Sequence, residues 1–158
     1  MRAEYRKDTS FASGDRLVLT MGYSQNLTFP TTDSIPSAWY FMFLVVVSMF
    51  GIYDRHEAKQ FNSVYTERKG GKGSNEEISM LVYFLESRLG GKETLANDFV
   101  LKLFIMLARA NKFQVVNFKF FVKGHTKNAC DRGFGHIRKK VEKKDRWTFE
   151  HIVNGAAS

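Results

Sequence analysis

Three side chains that can do chemistry stand close together in the stretch "FVKGHTKNACDRGFG", residues 121–135: His125, Cys130 and Asp131. An aspartate holds a divalent cation through its oxygens, and a histidine nearby can move a proton. Both tasks need further groups. Zinc would draw on His125, Cys130, His136 and His151, yet these stand five, six and fifteen residues apart. Structural zinc favours paired close spacings such as Cys-x2-Cys. Cys130 also falls on an apolar helical stripe, where a thiol is usually inert, which disfavours a Cys130–His125 nucleophile pair. The plain alternative for Asp131 is a first-turn acid set against the helix dipole.

Cations crowd the same region. Residues 119–146 hold ten Lys/Arg and three Asp/Glu, a net of +7 out of +8 for the whole chain. Such a localised basic surface favours polyanions, nucleic acid before anionic membrane. Lys127, Asn128, Arg132, Arg138, Lys139 and Lys143 are the candidate phosphate contacts, alongside Lys140 and Lys144. Phosphate contacts of this kind bind without regard to sequence and weaken with salt. No base-reading motif accompanies them. The bland counterpart is a solvated helix face.

The elements that must position these groups follow from pattern. Residues 16–22, "RLVLTMG", predict a strand, and "YSQNLTFPTTDSIPS" carries turn signals. A second strand is expected within 41–53. The uncharged run "AWYFMFLVVVSMFGIY" is sixteen residues long, short of the roughly 20 of a spanning helix, so it predicts sheet core and no membrane segment. "QFNSVYTE" predicts a third strand. "RKGGKGS" lacks the first glycine of a phosphate-binding P-loop. Ser74 and Glu77 form a capping box for a helix with Ile78, Leu81, Val82, Leu85 and Leu89 on one face. A second, well-buried helix is expected over 98–111, then a strand from "FQVVNFKFFVKG". Asn128 caps a last helix whose stripe is Cys130, Phe134, Ile137 and Val141. Trp147 and Phe149 open a short closing segment. The chain length suits one domain over 15–158 after a polar tail over 1–14, with no signal peptide expected there. A single cysteine fits a reducing compartment.

"VKGHTKNACD" resembles the junction between last strand and last helix of ribonuclease-H-like enzymes. "YSQNLTFP", "WYFMFLVVVSMFGIY", "GGKGSNEEISML" and "NFKFFVKGHTKNACDRGFGHIRKK" together resemble an uncharacterised family of domains in mobile-element-derived eukaryotic proteins, marked by Gly-His-Thr-Lys-Asn-x-x-Asp. The resemblance implies an α/β fold, a mixed sheet flanked by helices in the order β-β-β-α-β-α-β-α. Here the fourth strand is missing, because only "GGKETLAN" joins the two middle helices. The expected order is therefore β-β-β-α-(missing strand)-α-β-α, an incomplete domain.

Intact relatives cut or join DNA with Mg²⁺ held by three acids. The resemblance implies that Asp131 is the third acid and metal ligand, and His125 its companion. The first acid's position, just before Tyr23-Ser24-Gln25-Asn26, holds Gly22. The second acid belongs to a segment absent between Leu95 and Phe99. One carboxylate cannot hold Mg²⁺ firmly. The expectation is a catalytically inactive, degenerate transposase or nuclease domain, without cofactor, that keeps nucleic-acid binding, DNA above all, and resides in the nucleus on the strength of "IRKKVEKKDR". Two rivals stand beside it. One is an active metal-dependent DNA nuclease whose missing segment is a gene-model error; the other is a non-catalytic protein-interaction module.

Overall fold

A computed structural model describes residues 17–32, 37, 42–89, 115, 117, 128–143 and 145–157. The expected tail over 1–14, the helix over 98–111, nearly all of the strand that follows it, and the gap between Leu95 and Phe99 lie outside them. So do His125 and Lys127.

The described residues form a mixed α/β structure with one four-stranded antiparallel sheet and three helices. The strands are β1 (Leu19–Tyr23), β2 (Leu27–Phe29), β3 (Val45–Asp54) and β4 (Lys59–Thr66). The helices are α1 (Ser74–Leu89), α2 (Ala129–Glu142) and α3 (Phe149–Ala157). They fall into two compact units, Met1–Gly70 with Lys123–Ser158, and Gly71–Val122.

In the first unit β3 is the central strand. β4 pairs along one edge, from Val47↔Thr66 to Asp54↔Lys59. β1 and β2 share the other edge, β1 against 50–54 and β2 against 45–47. Val47 and Met49 are buried on one face of β3, Phe50 and Ile52 on the other. A strand buried on both faces reads as a continuous apolar run, which is why "VVVSMFGIY" lacks alternation. Asp54 ends β3, where its carboxylate accepts from the amides of His56 (2.8 Å) and Glu57 (3.3 Å) to shape the turn into β4.

β2 lies within the stretch whose Asn, Pro and Ser predict a turn. Between Tyr23↔Phe50 and Leu27↔Val47 the chain advances four residues while β3 retreats three. One extra residue is therefore inserted, a bulge that divides the stretch paired with β3 into β1 and β2. Ser24 still donates its amide to the Met49 carbonyl at 2.9 Å, so the bulge falls at Gln25 and Asn26.

α2 lies on the face of the sheet that carries Val47 and Met49. Its stripe of Cys130, Phe134, Ile137 and Val141 joins Leu27, Val47, Met49 and Ile152 in one core. Small residues set the approach. A Cβ on Gly51 would stand 2.6 Å from the Phe134 ring, and one on Gly133 would run into the Gln60 carboxamide. Gly155 of α3 likewise leaves room for Val141.

In the second unit α1 begins one residue away from the expected box. Ser74 is its first helical residue, and the Glu76 carboxylate, not that of Glu77, accepts from the amides of Gly71 and Gly73, both at 3.2 Å. Ile78, Leu81, Phe84 and Leu85 are buried.

Candidate nucleic-acid interface

α2 opens on a reciprocal cap. The Asn128 side chain accepts from the Asp131 amide (3.1 Å), and the Asp131 carboxylate accepts from the Asn128 amide (2.9 Å). Two of the amide groups that a helix start leaves unpaired are thus satisfied. Asp131 is exposed, with one carboxylate oxygen committed to the cap. Asn128 spends its side-chain oxygen on the same box.

Cys130 fastens this end of α2 to the sheet. It is fully buried, and its thiol donates to the carbonyls of Thr20 (3.0 Å) and Gly51 (3.6 Å). Burial pushes the thiol up to about 11, against partial relief from the Tyr53 backbone and a small further rise from the Asp131 charge. A protonated, buried thiol is no nucleophile at neutral pH.

Gly22 is the direct partner of Gly51 across β1 and β3. Paired residues of an antiparallel ladder project to one face, so position 22 faces the side of the sheet on which α2 lies. Among the described residues a Cβ there would meet nothing within 4 Å. Packing of the described residues therefore does not demand the absence of an acid at Gly22. Among the described residues no group of three His, Cys, Asp or Glu side chains is arranged to hold a metal ion. No described helix is long and apolar enough to cross a membrane.

The candidate cations divide. Arg138 is taken: its guanidinium donates to the side chain (2.7 Å) and the carbonyl (3.2 Å) of Gln25 in the bulge, with Glu142 at 3.7 Å. Arg132, Lys139, Lys140 and Lys143 are exposed. Arg132, His136, Lys139 and Lys143 are spaced four, three and four, the same interval as the buried stripe two residues earlier. Two residues turn a helix by about 200°, so these four form one exposed row on the side away from the core. At about 1.5 Å per residue the row runs for roughly 16 Å. The row was available from spacing alone, but the number of cations hides it. Gln25, which engages the Arg138 guanidinium, has no sequence signal.

The family described as Domain of unknown function (DUF7869) matches residues 91–157, less than half of the chain. No curated protein and no solved structure matches. The matched stretch contains the Gly-His-Thr-Lys-Asn segment, α2 and α3, and it leaves out all four strands; over those residues the chain is similar to that family.

Proposed function

We propose that this chain carries a degenerate ribonuclease-H-like domain, of transposase or nuclease descent, that no longer performs metal-dependent cleavage and binds nucleic acid, duplex DNA above all, along α2. The observation that carries the binding half is the row Arg132–His136–Lys139–Lys143 opposite the buried stripe. Permanent charges in line on a rigid helix suit a phosphate backbone, and they offer no means of telling one base from another.

The chemical half rests on the donor set. Mg²⁺ asks for oxygen ligands in near-octahedral geometry. Asp131 gives one oxygen to the Asn128 amide, and Gly22 offers no oxygen from its side. These residues do not fit a two-metal site. The antiparallel opening strands, followed by a helix that lays Cys130 against Thr20 and Gly51, support the ribonuclease-H-like descent. Nuclear residence belongs to the same proposal.

Fluorescence anisotropy with a 20-base-pair duplex tests the binding. Three permanent cations in the row predict that log K falls against log salt with a slope of about −3. Lys139→Gln with Lys143→Gln should reduce that slope by about 2. A flat salt dependence refutes the interface. Incubation of the duplex with Mg²⁺ or Mn²⁺ should leave it intact; cutting that Asp131→Ala abolishes refutes the loss of catalysis.

A further inference from the structure

A cleft of about 400 Å³ lies between the end of α2 and α3, lined by Lys140, Val141, Asp145, Arg146, His151 and Asn154 among others. Arg146 is the unusual member. It is only 9% exposed, and its main chain is pinned by a two-way bridge to Thr31, both bonds 2.8 Å. Yet its Nε is buried with no hydrogen-bond partner among the described residues. A guanidinium stays charged in a protein, so burial cannot be relieved by losing the proton. Buried charges are normally paired. Asp145 is exposed, and no ion pair joins it to Arg146 among the described residues.

Two further lining residues have matching chemistry, while Asp145 sets a carboxylate at the same cleft. Lys140 brings a second cation at an exposed position. His151 accepts the Trp147 amide on Nδ1 at 3.2 Å. The neutral ring then carries its proton on Nε2, as a donor. A guanidinium, an ammonium and an imidazole N–H around one cleft suit a tetrahedral oxyanion, and guanidinium binds phosphate through paired N–H groups. The volume admits a phosphate together with the group that bears it.

We propose that this cleft is a phosphate-binding site, anchored by Arg146 with Lys140 and His151 at its rim. Arg132, Lys139 and Lys143 take no part in it, so this site and the DNA interface fail separately.

The test is a titration of the full chain with inorganic phosphate at constant ionic strength, followed by amide and imidazole NMR signals. Saturable shifts at His151 and Asn154 are expected, with at least tenfold weaker binding in Arg146→Met. Unliganded Arg146→Met should melt no lower than the parent, because a buried Nε–H without an acceptor has been removed. Should that variant fail to fold, Lys140→Gln serves in its place and should weaken binding severalfold. Shifts that grow linearly without saturation, or saturable binding unchanged in Arg146→Met (or in its substitute), overturn the proposal. Repeating the titration with duplex DNA present separates two sources of the phosphate. Displacement assigns the site to the nucleic-acid backbone, and simultaneous binding assigns it to a small phosphorylated ligand.

Discussion

Gly22 and Gly51 face each other across β1 and β3, and a methyl group added to each should have opposite effects. At Gly51 the new Cβ would stand 2.6 and 2.8 Å from two carbons of the Phe134 ring and 2.9 Å from Gln60 Nε2. Ordinary contact begins at 3.4 Å, so the ring is too close by about 0.8 Å. Neither neighbour yields easily. Phe134 is wedged in the core with Leu27, Val47 and Met49, and the Gln60 amide is bonded to Asn62 at 2.8 Å. Overpacking of this kind costs about 1–3 kcal/mol. At Gly22 the Cβ meets no described residue within 4 Å, and replacing glycine within a strand contributes about 0.5–1 kcal/mol through the unfolded chain. Urea unfolding should therefore separate Gly51→Ala from Gly22→Ala by about 2–3 kcal/mol. With a slope of about 1–3 kcal/mol per molar urea, the midpoints should differ by about 0.7–3 M. Equal midpoints, or a larger loss at Gly22, would refute the packing of α2 on this face. A stable Gly22→Ala would also mean that sterics do not explain the missing acid.

Asn128→Ala should destabilise by about 1 kcal/mol in thermal melts, since it removes one half of the α2 cap. Cys130, raised from about 9 to about 11, predicts a pH effect. Its raised value means that the unfolded chain ionises first, so stability is intact below about pH 9 and falls as pH climbs towards 11. Cys130→Ala should flatten that fall in unfolding titrations, whatever it costs in packing. Ala58 has φ of 51°, a left-handed conformation that suits glycine, so Ala58→Gly should stabilise by about 1 kcal/mol in the same melts.

What could be read from the sequence was local. The stripe Cys130, Phe134, Ile137 and Val141 and the Asn128 cap depend on spacing within one helix, and the structure has both. The second and third expected strands correspond to β3 and β4 because β-branched and aromatic residues fill them. β2 was not legible: three residues between Asn26 and Pro30 carry no period, and their pairing is settled by Val45–Val47 on another strand. The α1 start differs from its sequence pattern for a similar reason, since Glu76 and Glu77 are equivalent in sequence and the Gly71–Gly73 turn decides between them. Among the site residues, Asp131 combined two meanings. Its position fits a third acid, while its carboxylate is engaged as a cap. The burial of Arg146 was beyond reach, because a basic residue in a basic run looks like surface until Thr31 is brought beside it.

The additional residue at Gln25 also sets the electrostatic character of α2 from a distance. Deleting it would leave Tyr23 opposite Phe50 and Leu27 opposite Val47, with a regular ladder between them. The sheet would survive the deletion, but Arg138 would lose both Gln25 oxygens that now hold it. Its guanidinium would be left with Glu142 alone, free to swing outward, and the helix would show the solvent one more positive group. A length change of a single codon between β1 and β2 would thus alter the charge presented by a helix that follows far along the chain.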